Sequence, residues 1–250
     1  MKNERQLLFQ RINERFVRAF ATYHLLDDGD RVLVGLSGGK DSLCLLELLA
    51  KRARISHPQF CVEALHVRMD NISYETSTDY LERFCGDLGV TLHIVSTRFD
   101  TAAPTTTDRK KPPCFLCSWH RRKQLFNLAQ TLGCNKIALG HHQDDLLKTA
   151  LMNLTFQGRF ATMPARLEMR KMPLTIIRPL CLVAESDIRR YAELSGYEKQ
   201  LKQCPYEHDT YRTGIATLYD AMEQMNPEAR YSLWNALSRD GKLVENAEQG

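Results

Sequence analysis

The sequence predicts an α/β protein built on a doubly wound, mainly parallel sheet of five strands. Two observations lead to this fold class. Short apolar runs alternate along the chain with amphipathic helical stretches, and the first apolar run ends in a glycine-rich turn that opens a helix. Ligands bind beyond the carboxyl ends of the strands in such sheets. The chain has 250 residues, 43% of them hydrophobic, which is enough for a large buried core.

The order of the elements follows from periodicity and from turn residues. The predicted strands cover residues 31–36, 60–67, 90–95, 136–140 and 174–177. The predicted helices cover residues 3–25, 43–50, 77–88, 118–132, 144–156, 187–194, 210–225 and 228–237. Residues 97–113 hold three prolines and are expected to form a long loop, and the last dozen residues are expected to be frayed.

Three segments are predicted from this order. An N-terminal amphipathic helix occupies residues 1–28, an α/β domain occupies residues 29–184, and a C-terminal helical segment occupies residues 185–250. In the first segment, Leu8, Ile12, Phe16 and Phe20 recur at every fourth position, which predicts a packed helix face.

The composition argues against a membrane protein. No run approaches the roughly 20 apolar residues that a membrane-spanning helix needs, and the N-terminus lacks the apolar stretch of a signal peptide. We therefore expect a cytoplasmic protein. Eight cysteines in that compartment argue against a disulfide framework, so close cysteine pairs point to metal or redox chemistry.

Charge is informative in its distribution rather than in its sum, which is only +4. Residues 109–123 contain six Lys or Arg and no acid, and residues 159–178 contain five basic residues against one Glu. Such clusters suit a polyanionic partner, although they are also typical of solvated surface.

The glycine-rich turn after the first strand is the first chemical motif. It consists of Ser37, Gly38, Gly39, Lys40, Asp41 and Ser42. Paired glycines let the backbone approach a phosphate, and a helix N-terminus presents free N–H groups and partial positive charge. The turn is not a Walker A loop, because position 34 is valine and Asp41 follows the lysine. The pattern favours a phosphate-binding loop over an ordinary strand–helix turn.

A second motif follows the fourth predicted strand, from Gly140 through His141 and His142 to Asp144 and Asp145. Carboxylates in the first turn of a helix are common for electrostatic reasons alone. At a strand end near a nucleotide, Asp144 or Asp145 could also hold Mg²⁺ through oxygen ligands. Either histidine could contact phosphate or move a proton.

Cysteines form the third motif, in which Cys114 and Cys117 have CxxC spacing. This spacing suits a metal, an iron–sulfur cluster or a redox disulfide. Cys204 is the obvious third thiolate, and three thiolates indicate a cluster or metal with one open position. Whether His120, Glu207 or His208 fills that position stays open. The other five cysteines lie in apolar segments and are expected to be packing residues, namely Cys44, Cys61, Cys85, Cys134 and Cys181.

The residues after the CxxC pair carry positive charge and an aromatic ring. Arg121, Arg122 and Lys123 closely follow Trp119, whose indole could stack on a base. This combination points to nucleic acid next to the cysteines.

Together these motifs resemble the tRNA 2-thiocytidine synthetase family of PP-loop ATP pyrophosphatases. The resemblance covers residues from about 27 to 204, through the phosphate loop, the CxxC pair, Ala138–Asp145 and Arg178-Pro179-Leu180. It implies an adenine nucleotide α-hydrolase-like fold. It also implies that ATP adenylates the C2 oxygen of a cytidine in the anticodon loop of tRNA, after which sulfur displaces AMP.

The same resemblance implies roles for individual residues. Lys40, Asp41 and Asp144 would be catalytic, and Asp144 or Asp145 would hold Mg²⁺. A [4Fe-4S] cluster would be bound by Cys114, Cys117 and Cys204. The residues that bind ATP would be Ser37, Gly38, Gly39, Lys40, Asp41, Ser42, Gly140, His141 and Asp145. The implied partners are tRNA and a sulfur donor, either a cysteine desulfurase or sulfide, and a homodimer is possible.

One departure from the family pattern leaves alternatives open. The family tends to show a second CxxC, whereas here Glu207 stands where its second cysteine would be. A lysidine synthetase-like ligase would leave the cysteines unexplained. A small-molecule sulfur transferase is also possible. A non-catalytic RNA-binding or iron-sensing protein would leave the intact phosphate loop unexplained.

Overall fold

The computed structural model describes residues 3–74, 76–99, 113–203 and 210–247. Eight helices lie in these ranges: α1 Glu4–Tyr23, α2 Lys40–Ala53, α3 Asp79–Leu88, α4 Pro113–Thr131, α5 Gln143–Gln157, α6 Glu185–Ser195, α7 Thr210–Met225 and α8 Ala229–Arg239. The strands in the same ranges are β1 Arg31–Gly35, β2 Cys61–Met69, β3 Ser73–Tyr74, β4 Thr91–Thr97, β5 Lys136–Ala138, β6 Arg166–Glu168, β7 Thr175–Ile177, β8 Lys202–Gln203 and β9 Val244–Glu245.

The main sheet has seven strands in the order β4-β2-β1-β5-β7-β6-β9, and β3 pairs with β8 in a separate two-stranded sheet. β1 and β4 both pair in parallel with β2, and β6 pairs antiparallel with β7. The predicted fold class is confirmed, and all five predicted strands are present. The predicted strand number was too low, because β6 and β9 are only three and two residues long and show no alternation.

The C-terminal residues differ from the prediction of a frayed end. Val244 and Glu245 pair with β6, and Leu243 beside them is buried. The predicted helices are confirmed with shifts at their ends. The largest shift is at α4, which begins at Pro113 rather than at Ser118. Proline is favoured at the first helical position, so α4 includes the CxxC pair.

The chain divides into two compact units. The first unit comprises residues 1–27, 138–196 and 209–250, and the second comprises residues 28–137 and 197–208. The predicted segment boundaries at residues 28 and 184 stay a prediction. None of the helices in the described ranges is long and apolar enough to cross a membrane.

In the first unit, α1 packs largely as its periodicity predicted. Leu8, Ile12 and Phe16 are buried, whereas Phe20 is only partly buried and the adjacent Ala19 is fully buried instead. On the exposed side, Arg190 of α6 donates two hydrogen bonds to the Glu4 carboxylate, at 2.7 and 2.9 Å. The helix is therefore fixed mainly by apolar burial, since an exposed ion pair contributes little.

The second unit is built around β1 and α2. Val32, Leu33 and Val34 of β1 are buried, as is nearly every residue of α2 from Ser42 to Ala50. This packing fixes the point at which β1 ends and α2 begins, which is the position of the phosphate loop.

Candidate functional site

The phosphate loop of the second unit joins the end of β1 to the start of α2. The hydroxyl of Ser42 donates to the Gly39 carbonyl at 2.9 Å and lies 3.1 Å from the Ser37 hydroxyl, which itself accepts from the Gly39 N–H at 3.3 Å. Gly39 caps α2 without a side-chain hydrogen bond in the described structure. The loop thus holds its own shape while the start of α2 keeps N–H groups that suit a phosphate.

Two charged groups lie at the start of this helix. The Lys40 ammonium donates to the Asp41 carboxylate at 3.1 Å, and each side chain is 29% exposed. A lysine at this position can neutralise phosphate charge, and a carboxylate can share a divalent cation with a polyphosphate. All six residues predicted for phosphate binding therefore lie in one continuous loop and helix start.

Gly38 is the position at which the loop depends on glycine. Its φ is +81°, in the left-handed region that side chains disfavour. A Cβ atom placed there would lie 2.3 Å from Cγ and 2.7 Å from Cβ of Gln200. The Gln200 N–H also donates to the Gly38 carbonyl at 3.1 Å. Gly38 is therefore covered by Gln200, a residue that the sequence did not single out.

Residues 197–203 form a strap beside the phosphate loop, within the second unit. Gln200 donates through its side-chain amide to the Ser77 carbonyl, and the Leu201 N–H donates to the Thr76 hydroxyl at 3.0 Å. Tyr197 donates to Glu47 of α2. The strap then continues into β8, which pairs with β3. Cys204 follows the end of β8 in sequence and lies outside the described residues.

His66 on β2 supports the strand end before the loop. The side chain is buried, and its Nδ1 lies 2.8 Å from the Leu36 carbonyl, which can only accept. Nδ1 therefore carries the proton. Burial is the main cause that lowers the pKa of His66, which keeps the ring neutral at physiological pH. His66 was not among the residues predicted from the sequence, because no motif or residue spacing marks a buried histidine that supports a neighbouring strand.

Cys114 and Cys117 lie in the first turns of α4, one helical turn apart on the same face. Cys114 is exposed, and Cys117 packs against the cluster of Met69, Ile72 and Phe99. Two thiolates on one helical turn can share a metal, so these residues fit the predicted cluster. No set of three metal-ligating side chains occurs within the described ranges, and the proposed third ligand lies outside them.

The aromatic and basic residues of α4 present a mixed surface. Phe115 and Trp119, one turn apart, are 43% and 45% exposed, and the Lys123 ammonium lies 5.4 Å from the Trp119 ring centroid. Arg121 instead donates to the Tyr74 hydroxyl at 3.0 Å. The exposed indole beside a cation suits base stacking, whereas Arg121 is engaged within the unit. The remaining cysteines are buried as expected except Cys61, which is exposed.

The second motif lies in the first unit, where β5 leads into α5. His142 caps α5, and its backbone N–H donates to Oδ2 of Asp145 at 3.0 Å. The Gln143 N–H donates to the Val183 carbonyl at 3.0 Å. Gly140, His141, Asp144 and Asp145 are thus brought together at one helix start, as the sequence predicted.

Asp144 is buried and has both carboxylate oxygens engaged. Oδ2 accepts from the Glu185 N–H at 2.8 Å, and Oδ1 accepts from the Arg230 guanidinium at 2.7 Å. Burial opposes ionisation of Asp144, but these hydrogen bonds outweigh it and hold its pKa below the ordinary value. The metal role of Asp144 stays a prediction.

Arg178 directly follows β7 in the first unit. Its Nε donates to Nδ1 of His141 at 3.3 Å, and its Nη1 donates to the Pro164 carbonyl at 2.5 Å. Burial lowers the pKa of Arg178 to about 10, so the group stays charged at neutral pH. His141 accepts through Nδ1, which fixes its ring orientation and its tautomer.

Comparison with known proteins agrees with this arrangement. The PP-loop domain family matches residues 8–210. The chain is 34% identical over 233 residues to the tRNA-cytidine(32) 2-sulfurtransferase of Bordetella avium (strain 197N), across 93% of this chain and 73% of that protein. It is 33% identical over 241 residues to tRNA-cytidine(32) 2-sulfurtransferase 1 of Francisella tularensis subsp. novicida (strain U112), across 95% and 86%.

The chain belongs to the PP-loop family of tRNA-cytidine(32) 2-sulfurtransferases. The resemblance inferred from the motifs is thereby confirmed. Among solved structures, the U34-tRNA thiolase NcsA from Methanococcus maripaludis, solved with its [4Fe-4S] cluster, has a TM-score of 0.73 at 24% identity. That match covers 94% of this chain and 79% of the thiolase, and it shows that the two share a PP-loop fold.

Replacing Gly38 with alanine should disturb the PP-loop. The new Cβ would occupy the space of Gln200 and would force a left-handed residue to carry a side chain, at a cost of about 1–3 kcal/mol. We expect ATP affinity to fall about tenfold or more in equilibrium dialysis. Gly86→Ala in α3 is the matched control, since a Cβ there meets nothing within 4 Å. Unaltered affinity in Gly38→Ala would contradict this account of the loop.

Replacing Arg230 with leucine should destabilise the first unit. The change leaves the Asp144 carboxylate buried without its guanidinium partner, which costs about 3 kcal/mol for a buried pair. Urea unfolding should show the loss, and adding Asp144→Asn should recover part of it. Arg189→Leu, at an exposed position of α6, should change stability by no more than about 0.5 kcal/mol. Equal losses of stability in Arg230→Leu and Arg189→Leu would refute a special role for the Asp144–Arg230 pair.

Proposed function

We propose that this protein is an ATP-dependent tRNA thiolase that replaces the C2 oxygen of cytidine 32 with sulfur. The observation that carries the proposal is the relationship to the tRNA-cytidine(32) 2-sulfurtransferases, which extends over 93–95% of the chain. The match to the PP-loop domain family spans residues 8–210, a range that contains the phosphate loop and the CxxC pair. In this proposal the protein acts in the cytoplasm. The sulfur is supplied by sulfide or by a cysteine desulfurase.

The reaction has two steps whose atoms balance. In the first, the C2 oxygen of cytidine attacks the α-phosphorus of ATP, and the bond to the β-phosphate breaks to release pyrophosphate. In the second, hydrosulfide attacks C2, the bond between C2 and the oxygen breaks to release AMP, and the hydrosulfide proton is lost to leave the C2 thiocarbonyl. A persulfide delivered by a cysteine desulfurase enters this step only after a thiol reductant has supplied two electrons and released hydrosulfide. Adenylation is needed because a ring carbonyl oxygen leaves poorly, whereas a phosphate ester leaves readily.

The residues of the PP-loop have defined tasks in the first step. The backbone at Gly38, Gly39 and the start of α2 binds the phosphates, and the Lys40 ammonium offsets charge as pyrophosphate departs. Ser37 and Ser42 keep the loop in shape through their mutual contact. Mg²⁺ supplies charge stabilisation to the leaving pyrophosphate when bound. Asp144, one of the two carboxylates expected to hold Mg²⁺, is the ligand that we propose for it.

The cysteines serve the second step. Cys114 and Cys117 lie one turn apart on α4, with Cys204 as the proposed third ligand. A [4Fe-4S] cluster held by three thiolates supplies one iron with an open position for sulfur. The exposed indole of Trp119 is available to stack on an unpaired base of the anticodon loop.

The direct test combines anaerobic protein, sulfide, ATP, Mg²⁺ and a tRNA that carries cytidine 32. The expected products are 2-thiocytidine in the digested tRNA, measured by mass spectrometry, and AMP with pyrophosphate. Lys40→Ala should lower AMP formation at least a hundredfold and retain its iron. Lys242→Ala, at an exposed position, is the matched control. Full turnover by Lys40→Ala would exclude the proposed role of this lysine.

Loss of one cysteine should separate the two steps. We expect Cys117→Ser to lose iron and acid-labile sulfide, because a ligand is removed, and to keep wild-type ATP affinity. Cys61→Ser, which changes an exposed cysteine on β2, should keep both. Iron content equal to wild type in Cys117→Ser would remove this residue from the ligand set. Wild-type protein that thiolates tRNA without any iron would overturn the cluster assignment.

A further inference from the structure

One face of α5 opens on a cavity of about 270 Å³ in the first unit. Four of its lining residues, Asp145, Lys148, Thr149 and Met152, recur at the spacing of one helix face. His141, Met163 and Ile215 complete the lining. The cavity begins where the second motif ends. Two of its lining residues, His141 and Asp145, were expected to bind ATP, and the other five were assigned no ligand.

Part of the cavity lining is apolar. Met152 and Met163 contribute flexible thioethers, and Ile215 is itself buried. Methionine adapts to flat rings and makes favourable contacts through sulfur. Ligand pockets usually span roughly 300–1,000 Å³, so this cavity suits a fragment the size of one nucleobase rather than a whole nucleotide.

The polar part of the lining offers a hydrogen-bond acceptor. The side chain of Asp145 is 38% exposed; its Oδ2 accepts from the His142 N–H at 3.0 Å and lies 3.4 Å from Nε2 of the same histidine. A carboxylate has about four lone-pair sites, so Asp145 has capacity to accept from a ligand. The Lys148 ammonium is drawn towards Glu185, at 3.8 Å, and towards the Tyr219 ring, at 5.7 Å.

We propose that this cavity takes the cytosine ring of the substrate tRNA and that Asp145 accepts a hydrogen bond from its N4 amino group. This proposal rests on the proposed thiolation, and it assigns the selection of the base to Asp145. Cytosine carries a donor at position 4, where uracil carries an acceptor. A carboxylate at this position accepts a hydrogen bond from the amino group of cytosine. With uracil, the same carboxylate faces a carbonyl oxygen and receives no hydrogen bond.

The chemistry of the ring is consistent with this orientation. The C2 oxygen lies at the other end of the Watson–Crick edge from N4, so a base held through N4 keeps its reacting oxygen unblocked. Bases in anticodon loops can leave the stack at modest cost and enter an apolar pocket between side chains. Asp145 is thereby a specificity residue rather than a magnesium ligand.

The test compares two tRNA substrates that differ only in cytidine or uridine at position 32. Wild-type protein should bind and thiolate the cytidine form in preference. Asp145→Asn should reduce the cytidine-to-uridine ratio about tenfold or more, both in kcat/KM and in the affinity of the isolated anticodon hairpins. Both substrates use the same ATP and Mg²⁺, so the ratio isolates base recognition. Asp220→Asn, at an exposed position of α7, should leave it unchanged.

A second variant tests the cavity itself. Met163→Trp should fill the apolar part and lower thiolation kcat/KM at least tenfold, with ATP affinity unaltered. An unchanged ratio in Asp145→Asn, with both rates lowered equally, would assign Asp145 to the metal and overturn the proposal. Full thiolation by Met163→Trp would also overturn it. Absence of 2-thiocytidine with wild-type protein would instead refute the proposed function.

Discussion

The left-handed backbone of Gly38 is the constraint on which the PP-loop depends. A chain that leaves a buried parallel strand and enters a helix within a few residues must turn sharply, and Gly38 does so at a φ of +81°. The absence of a Cβ there serves two purposes. It removes the steric cost of this conformation, and it admits Gln200, whose backbone N–H satisfies the Gly38 carbonyl. The loop is thus supported by a distant strap.

In the first unit, the buried ion pair between Asp144 and Arg230 is the interaction on which the second motif depends. Asp144 would be expensive to bury alone, and Arg230 together with the Glu185 N–H compensates that cost. Arg230 also donates to Glu223 and to Gln143, so α5, α7 and α8 are joined through one guanidinium. The neighbouring Asp145 is more exposed; its Oδ2 accepts from the His142 N–H and lies 3.4 Å from Nε2 of the His142 ring, whose Nδ1 lies 3.7 Å from Asp144. Two adjacent carboxylates therefore have different environments and different capacities for ligands.

The geometry of the cysteine pair depends on the residue at which α4 begins. Because α4 begins at Pro113, Cys114 and Cys117 are on consecutive turns of one helix face rather than in a loop. Cys117 also packs against the apolar cluster of Met69, Ile72 and Phe99, which restricts the motion of its thiol. The predicted role of Cys117 as a metal ligand is consistent with such rigidity, since ligand geometry decides which metal group is held.

The sequence by itself determined the fold class, the five principal strands, the PP-loop and the grouping of Gly140, His141, Asp144 and Asp145. These features follow from local rules, because hydrophobic period, glycine geometry and helix start signals act over a few residues. Only the tertiary structure decided that Gln200 covers Gly38, that His66 holds Leu36 and that Arg230 neutralises Asp144. β9 was missed for the same reason, because it pairs with β6, a segment far from it in the chain, and such a pairing leaves no periodic pattern in the sequence. β6 was missed because three residues are too few to show an alternating pattern, although it pairs with the nearby β7.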